Sequence, residues 1–234
     1  MEKQDIRESV WDELQDSGEA RFPFPVEGRI PNFSGADQTA EKISGLQFWK
    51  DAENVKINPD SPQRPVRRQA LREGKTLYVA VPRLAEDEPF IELDPEDIDD
   101  VKEATTIKGM NSYGPKVELE DMPEIDLVVS GSVAVTREGD RVGKGEGYSD
   151  LEFALLSEEG LVDDSTTTVT TVHGIQLVSR PAEIDMDGHD VPMDVIVTPT
   201  RVIEPVSGKN KPSGIVDEDL PEEKIEEIPV LQDR

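Results

Sequence analysis

Arg141-Val-Gly-Lys-Gly-Glu-Gly-Tyr-Ser-Asp150 places glycine at every second position, Gly143, Gly145 and Gly147, with Lys144 between the first two and Asp150 just after. The apolar run Ile125-Asp-Leu-Val-Val-Ser-Gly-Ser-Val-Ala-Val135 precedes it and reads as a buried strand. Leu151, Phe153, Ala154, Leu155 and Leu156 follow and read as a helix. Strand, glycine loop and helix present backbone N–H groups and a helix N-terminus to a phosphate. Glycine allows positive φ and close approach of a ligand. Lys144 can supply a point charge, and Asp150 can hold Mg²⁺. The spacing is neither the dinucleotide fingerprint nor a Walker loop. A tight strand-to-helix turn at a sheet edge would use the same residues.

Working outward, Ile6, Val10 and Leu14 recur on one face of a helix over Lys3 to Asp16, ended by Gly18. Lys3 and Arg7 share another face of it, as a solvated flank also would. Prolines and aromatics make Arg21 to Gly35 irregular. A second helix is expected over Thr39 to Trp49, a strand over Val55 to Asn58 and a helix over Val66 to Glu73. Arg67, Arg68 and Arg72 make that last helix a local basic cluster, which nearby carboxylates could pair. Thr76 to Val81 is a strand, Pro95 to Ala104 an acidic helix, Thr166 to His173 a β-branched strand and Asp194 to Ile203 a strand pair. Strands alternating with helices predict a three-layer α/β sandwich on a mostly parallel sheet over residues 1–205, with ligands at the carboxyl ends of the strands. Residues 206–234, rich in proline and charge, are expected to form an extended tail with a basic spot at Lys209 and Lys211.

The chain of 234 residues carries 52 acidic and 25 basic side chains, a formal net charge of −27. That surface repels nucleic acid and anionic membranes. It fits either a disordered acidic protein or a folded one from a high-salt cytoplasm, and the regular apolar segments favour the folded, halophilic reading. Absence of cysteine excludes disulfides and thiol chemistry. No apolar stretch approaches the ~20 residues of a membrane span. Met1-Glu-Lys-Gln-Asp lacks a secretory signal, so a cytoplasmic location is expected. His189 lies among carboxylates in Asp187-Gly-His-Asp-Val-Pro-Met-Asp194, but the spacing matches no familiar zinc pattern, and a surface turn explains it as well. No Gly-x-Ser-x-Gly elbow supports a serine hydrolase.

Asp126 through Asp150 resembles the signature of 5-formyltetrahydrofolate cyclo-ligases: an apolar strand, a small turn, then Gly-x-Arg-Leu-Gly-x-Gly-x-Gly-Tyr-Tyr-Asp. Lys3-Gln-Asp-Ile-Arg7 is similar to the Lys-x-x-x-Arg that opens those enzymes, and His189-Asp-Val-Pro-Met-Asp194 to their late aspartate motif. Gly143 to Glu152, Phe22-Pro with Arg29 to Phe33, and Thr198-Pro-Thr-Arg-Val202 look more like the methenyltetrahydrofolate synthase domain-containing branch. The resemblance implies a cyclo-ligase-like (CoA transferase-like) fold and a monomer or homodimer. It also implies an ATP- and Mg²⁺-dependent ligase, in which phosphorylation of the formyl oxygen and attack by N10 turn 5-formyltetrahydrofolate into 5,10-methenyltetrahydrofolate. Lys3, Arg7, Arg141, Gly143, Lys144, Gly145, Gly147 and Tyr148 would contact the nucleotide; Lys144 and Tyr148 would be the catalytic pair, Tyr148 lining the folate side. Asp150 and Asp194 would hold Mg²⁺, and Asp60 is the nearest counterpart of the folate-contacting acid. Two departures stand out: Ser149 replaces the signature's second tyrosine, and Glu146 places a carboxylate beside the phosphates. They leave room for a diverged paralog that binds a nucleotide and a one-carbon or thiamine-related metabolite without closing the ring.

Overall fold

The computed structural model describes residues 2–179, 186–206, 208–216, 220 and 222–232. In chain order the first elements are α1 (Lys3–Asp16), β1 (Ala20–Arg21), β2 (Asn32–Phe33), α2 (Ala36–Ser44), α3 (Gln47–Asp51), β3 (Asn54–Ile57), α4 (Arg64–Arg72), β4 (Thr76–Ala80) and β5 (Phe90–Leu93). There follow α5 (Val101–Ala104), α6 (Ile107–Tyr113), β6 (Lys116–Val117), β7 (Leu127–Ser130), β8 (Ala134–Thr136), β9 (Arg141–Val142) and α7 (Tyr148–Glu158). The chain continues through β10 (Thr167–Thr171), β11 (Leu177–Val178), β12 (Val195–Val197), β13 (Val202–Ile203), α8 (Glu222–Glu227) and α9 (Pro229–Gln232).

Eight strands form the main sheet in the order β13-β12-β10-β7-β3-β4-β5-β6. The five central strands are parallel, and β13, β5 and β6 join antiparallel at the two edges. Counted along the chain, the parallel strands run 5-4-3-1-2, a doubly wound order whose direction reverses between β3 and β7. Alternation along the strands builds the layers. Val55, Ile57, Leu77, Val79, Leu127 and Val129 face one side, where Ile43, Trp49, Val66 and Leu71 of α2 to α4 cover them. Tyr78, Ala80, Val128 and Ile196 face the other side, under Phe153, Leu155 and Leu156 of α7. Burial on both faces is what a parallel sheet requires. No helix among the described residues is long and apolar enough to cross a membrane.

Several elements differ from the sequence expectation. The helix foreseen over Thr39 to Trp49 is two, α2 and α3, interrupted at Gly45 and Leu46. The acidic helix at Pro95 to Ala104 is a 3-10 turn at Pro95–Asp97 and the single turn α5, divided by the extended Ile98 and by Asp100, whose side chain caps α5. The run Ile125 to Val135 is not one strand. It breaks after Ser130, so that β7 stays in the main sheet while β8 joins β9 and β11 in a small sheet. Gly131 sits at that break, where a Cβ would come within 2.9 Å of Ile30 and 3.0 Å of Gln63. The small sheet packs against α1 through Ile6, Val10, Trp11 and Leu14. The expected extended tail contains α8 and α9, and Ile228 and Leu231 are buried in the same core as Phe153 and Leu155. Lys209 pairs with Asp140, and Lys211 pairs with Asp194 at 2.9 Å, so the basic spot is neutralised.

Candidate functional site

The reversal between β3 and β7 leaves a crevice at the carboxyl ends of the parallel strands. A cavity of about 800 Å³ occupies it, lined among others by Asn58 and Asp60 after β3, Arg83 after β4, and Lys144, Tyr148 and Ser149 of the glycine loop and α7. Its floor is polar. Lys56, alternating away from its apolar strand neighbours, points to the α7 side and pairs with Glu152; their side chains are 1% and 7% exposed. Asn58 Nδ2 donates to the same Glu152 oxygen at 3.3 Å. Ser149 Oγ donates toward Asn58 Oδ1 at 3.4 Å and lies 3.3 Å from Ser130 Oγ. Burial raises the Asp60 carboxyl above its ordinary range, against the pull of Lys144 and Arg67.

The loop's geometry follows from its glycines. Gly145 has φ 107° and Gly147, which precedes α7, has φ 71°, both in the left-handed region. Gly147 offers α7 no side-chain cap, so first-turn amides are left for another acceptor. Arg7 Nε donates to the Gly143 carbonyl at 2.7 Å, which ties α1 to the loop. A Cβ on Gly145 would come within 3.4 Å of the Arg7 guanidinium, so Arg7 lies directly against the loop. Burial lowers the Arg7 pKa, with Asp190 opposing. Lys144 pairs with Glu146 at 2.6 Å, so the carboxylate beside the loop has its own lysine.

Arg141 braces this assembly from below. Its guanidinium donates to Gly131 O at 3.0 Å and to Asp150 Oδ2 at 2.5 Å, and its Nε is buried without a partner. Burial lowers its pKa most strongly, but Asp150, with Asp190 and Glu152 behind it, outweighs burial and raises it. Asp150 Oδ1 accepts from the Val191 N–H at 3.0 Å, which draws the 187–194 segment to the loop. Lys3 binds that segment too, through Asp190 at 2.6 Å and Asp187 at 2.9 Å. Burial would lower the Lys3 ammonium, and the two aspartates together raise it.

Lys3, Arg7, Arg141, Gly143 to Gly147, Tyr148 and Asp150 thus gather on one side of the crevice. Asp194 does not join them. It lies at the amino end of β12, accepting from Thr168 N at 2.8 Å, from Thr168 Oγ1 at 2.9 Å and from Lys211. Parallel strands put their amino ends on the far edge of the sheet from the crevice. Asp150 and Asp194 therefore do not converge on one Mg²⁺, and both Asp150 oxygens already serve the fold. Asp187, His189 and Asp190 approach within 4.8 Å of one another, with Lys3 on both carboxylates.

Other site residues left no readable signal. Lys56 looks like an ordinary polar residue in a short strand. Arg83 and Leu84 adopt φ 60° and 52°, the left-handed region that side chains disfavour, and carry Arg83 to the cavity. Lys224 of α8 sits 3.8 Å from the centre of the Tyr148 ring and donates to the Glu146 carbonyl. The Tyr148 hydroxyl donates to Glu227 at 3.3 Å. Burial raises the Tyr148 pKa, with Glu227 adding to it, so the phenol stays a donor.

The sequence profile of the 5-formyltetrahydrofolate cyclo-ligase family matches residues 1–199. The chain belongs to that family. It is 41% identical over 237 residues to the methenyltetrahydrofolate synthase domain-containing protein of Bos taurus, covering 99% of this chain and 61% of that one. It is 26% identical over 178 residues to a probable 5-formyltetrahydrofolate cyclo-ligase of Schizosaccharomyces pombe, covering 70% of this chain and 83% of that one. The chain thus spans about three fifths of the domain-containing relatives, 60–63% of their length. The fold is that of Aquifex aeolicus 5,10-methenyltetrahydrofolate synthetase, with a TM-score of 0.54 at 20% identity over 89% of this chain and 95% of that one. In this chain Glu146 lies in the glycine loop and Ser149 in the first turn of α7, and α8 and α9 lie beyond the matched residues.

Proposed function

We propose that the crevice binds ATP and a reduced folate and converts 5-formyltetrahydrofolate to 5,10-methenyltetrahydrofolate. The observation that carries this reading is the loop Gly143 to Gly147. It lies at the reversal of a doubly wound sheet and is followed by an uncapped helix N-terminus, with Lys144 and Arg7 beside it. Such a cradle binds phosphate through amides and cations. Its own residues position and neutralise rather than react, which is most of what phosphoryl transfer asks of a protein. Lys144 exchanges Glu146 for a phosphate oxygen. Arg7 holds the loop's carbonyl and so keeps its amides turned to the ligand. Tyr148, kept protonated, offers its hydroxyl and ring edge to the second substrate. Asp150, held by Arg141, and Asp194, held by Thr168 and Lys211, do not make a Mg²⁺ site together.

The test is ATP titration of the parent and of Lys144→Ala by calorimetry in molar KCl, with methenyl product followed by absorbance. ATP-dependent product from the parent, with ATP affinity and product both reduced in the variant, supports the reading. Unchanged ATP affinity in Lys144→Ala refutes the assignment of Lys144. A second reading, nucleotide binding without ring closure, is favoured by Ser149, whose hydroxyl lies against Asn58 and Ser130 where the family signature has a phenol. ATP binding with no methenyl product would select it.

A further inference from the structure

The arginines of α4 take no part in that chemistry. Arg64 and Arg68, together with Arg21, line a second cavity of about 450 Å³ that shares Phe22 and Ser61 with the crevice. Two helices begin at this cavity, α2 at Gly35 to Asp37 and α4 at Arg64 and Pro65. Neither N-cap residue, Gly35 or Gln63, caps its helix through a side chain. Both helix dipoles thus add positive potential to three guanidinium groups. The Nε atoms of Arg64 and Arg68 are buried and have no hydrogen-bond partner. Their outer nitrogens are used, Arg64 on the Lys102 carbonyl at 2.8 Å and Arg68 on Asp37 at 2.7 Å. Asp37 is the one acidic residue lining the cavity, and its side chain is 79% exposed. An exposed carboxylate is thus bound where a ligand carboxylate could replace it. In a chain of net charge −27, a cavity lined by three arginines and one aspartate is a local positive exception.

We propose that the arginine-lined cavity is an anion subsite, receiving the carboxylates of the molecule whose ring system occupies the crevice. The proposal rests on the reading above, because a reduced folate carries its carboxylates at the end remote from its fused rings. Guanidinium forks match carboxylates in two-point contact. The ligand displaces Asp37 from Arg68, and Phe22, 78% exposed between the two cavities, lies along the connecting part of the ligand.

The test uses the full chain at constant ionic strength and three calorimetric titrants: 5-formyltetrahydrofolate, a γ-linked triglutamate peptide, and ATP. The proteins are the parent, Arg64→Gln/Arg68→Gln, and Arg21→Gln, whose exposed side chain can be changed without disturbing the core. A charged hydrogen bond is worth about 1.5–3 kcal/mol, so each lost arginine should raise the Kd for 5-formyltetrahydrofolate about tenfold or more while ATP affinity holds. Equal folate affinity in all three proteins, or weakening confined to ATP, overturns the subsite. A parent that binds the peptide but not the folate, with loss in the variants, keeps the subsite and sinks the proposed substrate. A parent that binds neither overturns both.

Discussion

Lys56→Met removes half of the ion pair beneath the glycine loop and leaves Glu152 with 7% of its side chain exposed. The carboxylate then keeps the Asn58 amide at 3.3 Å, a long bond. Removing one partner of a buried pair costs about 3–5 kcal/mol, because desolvation of the survivor is no longer offset. In a chain of this size 1 kcal/mol moves Tm by about 2–4 °C, so the variant should melt on the order of 6–20 °C below the parent. Lys56→Met combined with Glu152→Met fills similar volume without charge and should recover most of that loss, since apolar replacement of a buried pair is often neutral. Urea unfolding in molar KCl, followed by the fluorescence of the buried Trp11 and Trp49, gives all corners of the cycle. A coupling energy of at least about 2 kcal/mol is expected. A single-variant cost below about 1 kcal/mol, or a double variant as unstable as the sum of the singles, would refute the view that these charges exist inside the protein as a mutually dependent pair.

Three further outcomes follow from the same structure. Asp60 is protonated in both states below the ordinary carboxylate range near pH 4, so Asp60→Asn should change the pH dependence little there. Above it, the unfolded chain ionises while the folded state, with its raised Asp60 pKa, retains the proton. Stability of the parent relative to the variant should therefore fall as pH rises from 4 to 7, and a urea-midpoint difference independent of pH would contradict this. Ile228→Ala empties a fully buried position in the core shared with α7 and should cost about 2–5 kcal/mol. It should also speed hydrogen exchange at residues 147–151, and unchanged exchange there would show that α8 does not steady the loop. With 52 acidic against 25 basic side chains, self-repulsion should make Tm climb as KCl rises from dilute to molar, and a flat or falling curve would count against salt adaptation.

The parts of the fold that could be read from sequence were those with strong periodicity. Ile6, Val10 and Leu14 marked α1, and the β-branched run at Thr167 to Thr171 marked β10. The glycine spacing located the loop and the helix that follows it. What escaped was set by tertiary context. Val133 to Val135 is as apolar as Leu127 to Val129, and the chain passes into a second sheet at Gly131, where Ile30 and Gln63 pack closely. The edge strand β6, two residues long, carries too few residues for alternation to register. Asp194 was drawn into the site by its place in a motif, whereas parallel pairing with Val169 fixes its neighbour Val195 at the amino end of β12. Lys56 and Glu152 lie 96 residues apart, and nothing local in either segment announces that they meet.

The contact between Lys224 and the glycine loop joins residues 78 positions apart. At a synthesis rate of about 5–20 residues per second, the loop is made roughly 4–16 s before the lysine that settles on Tyr148. During that interval β7, α7 and the loop can form, yet the face later covered by Ile228 and Leu231 stays bare. A nascent chain paused in this window exposes apolar surface beside its phosphate cradle. The order in which the ribosome delivers the pieces therefore places completion of the crevice after the making of its cradle, and makes that interval a time when a chaperone has apolar surface to cover.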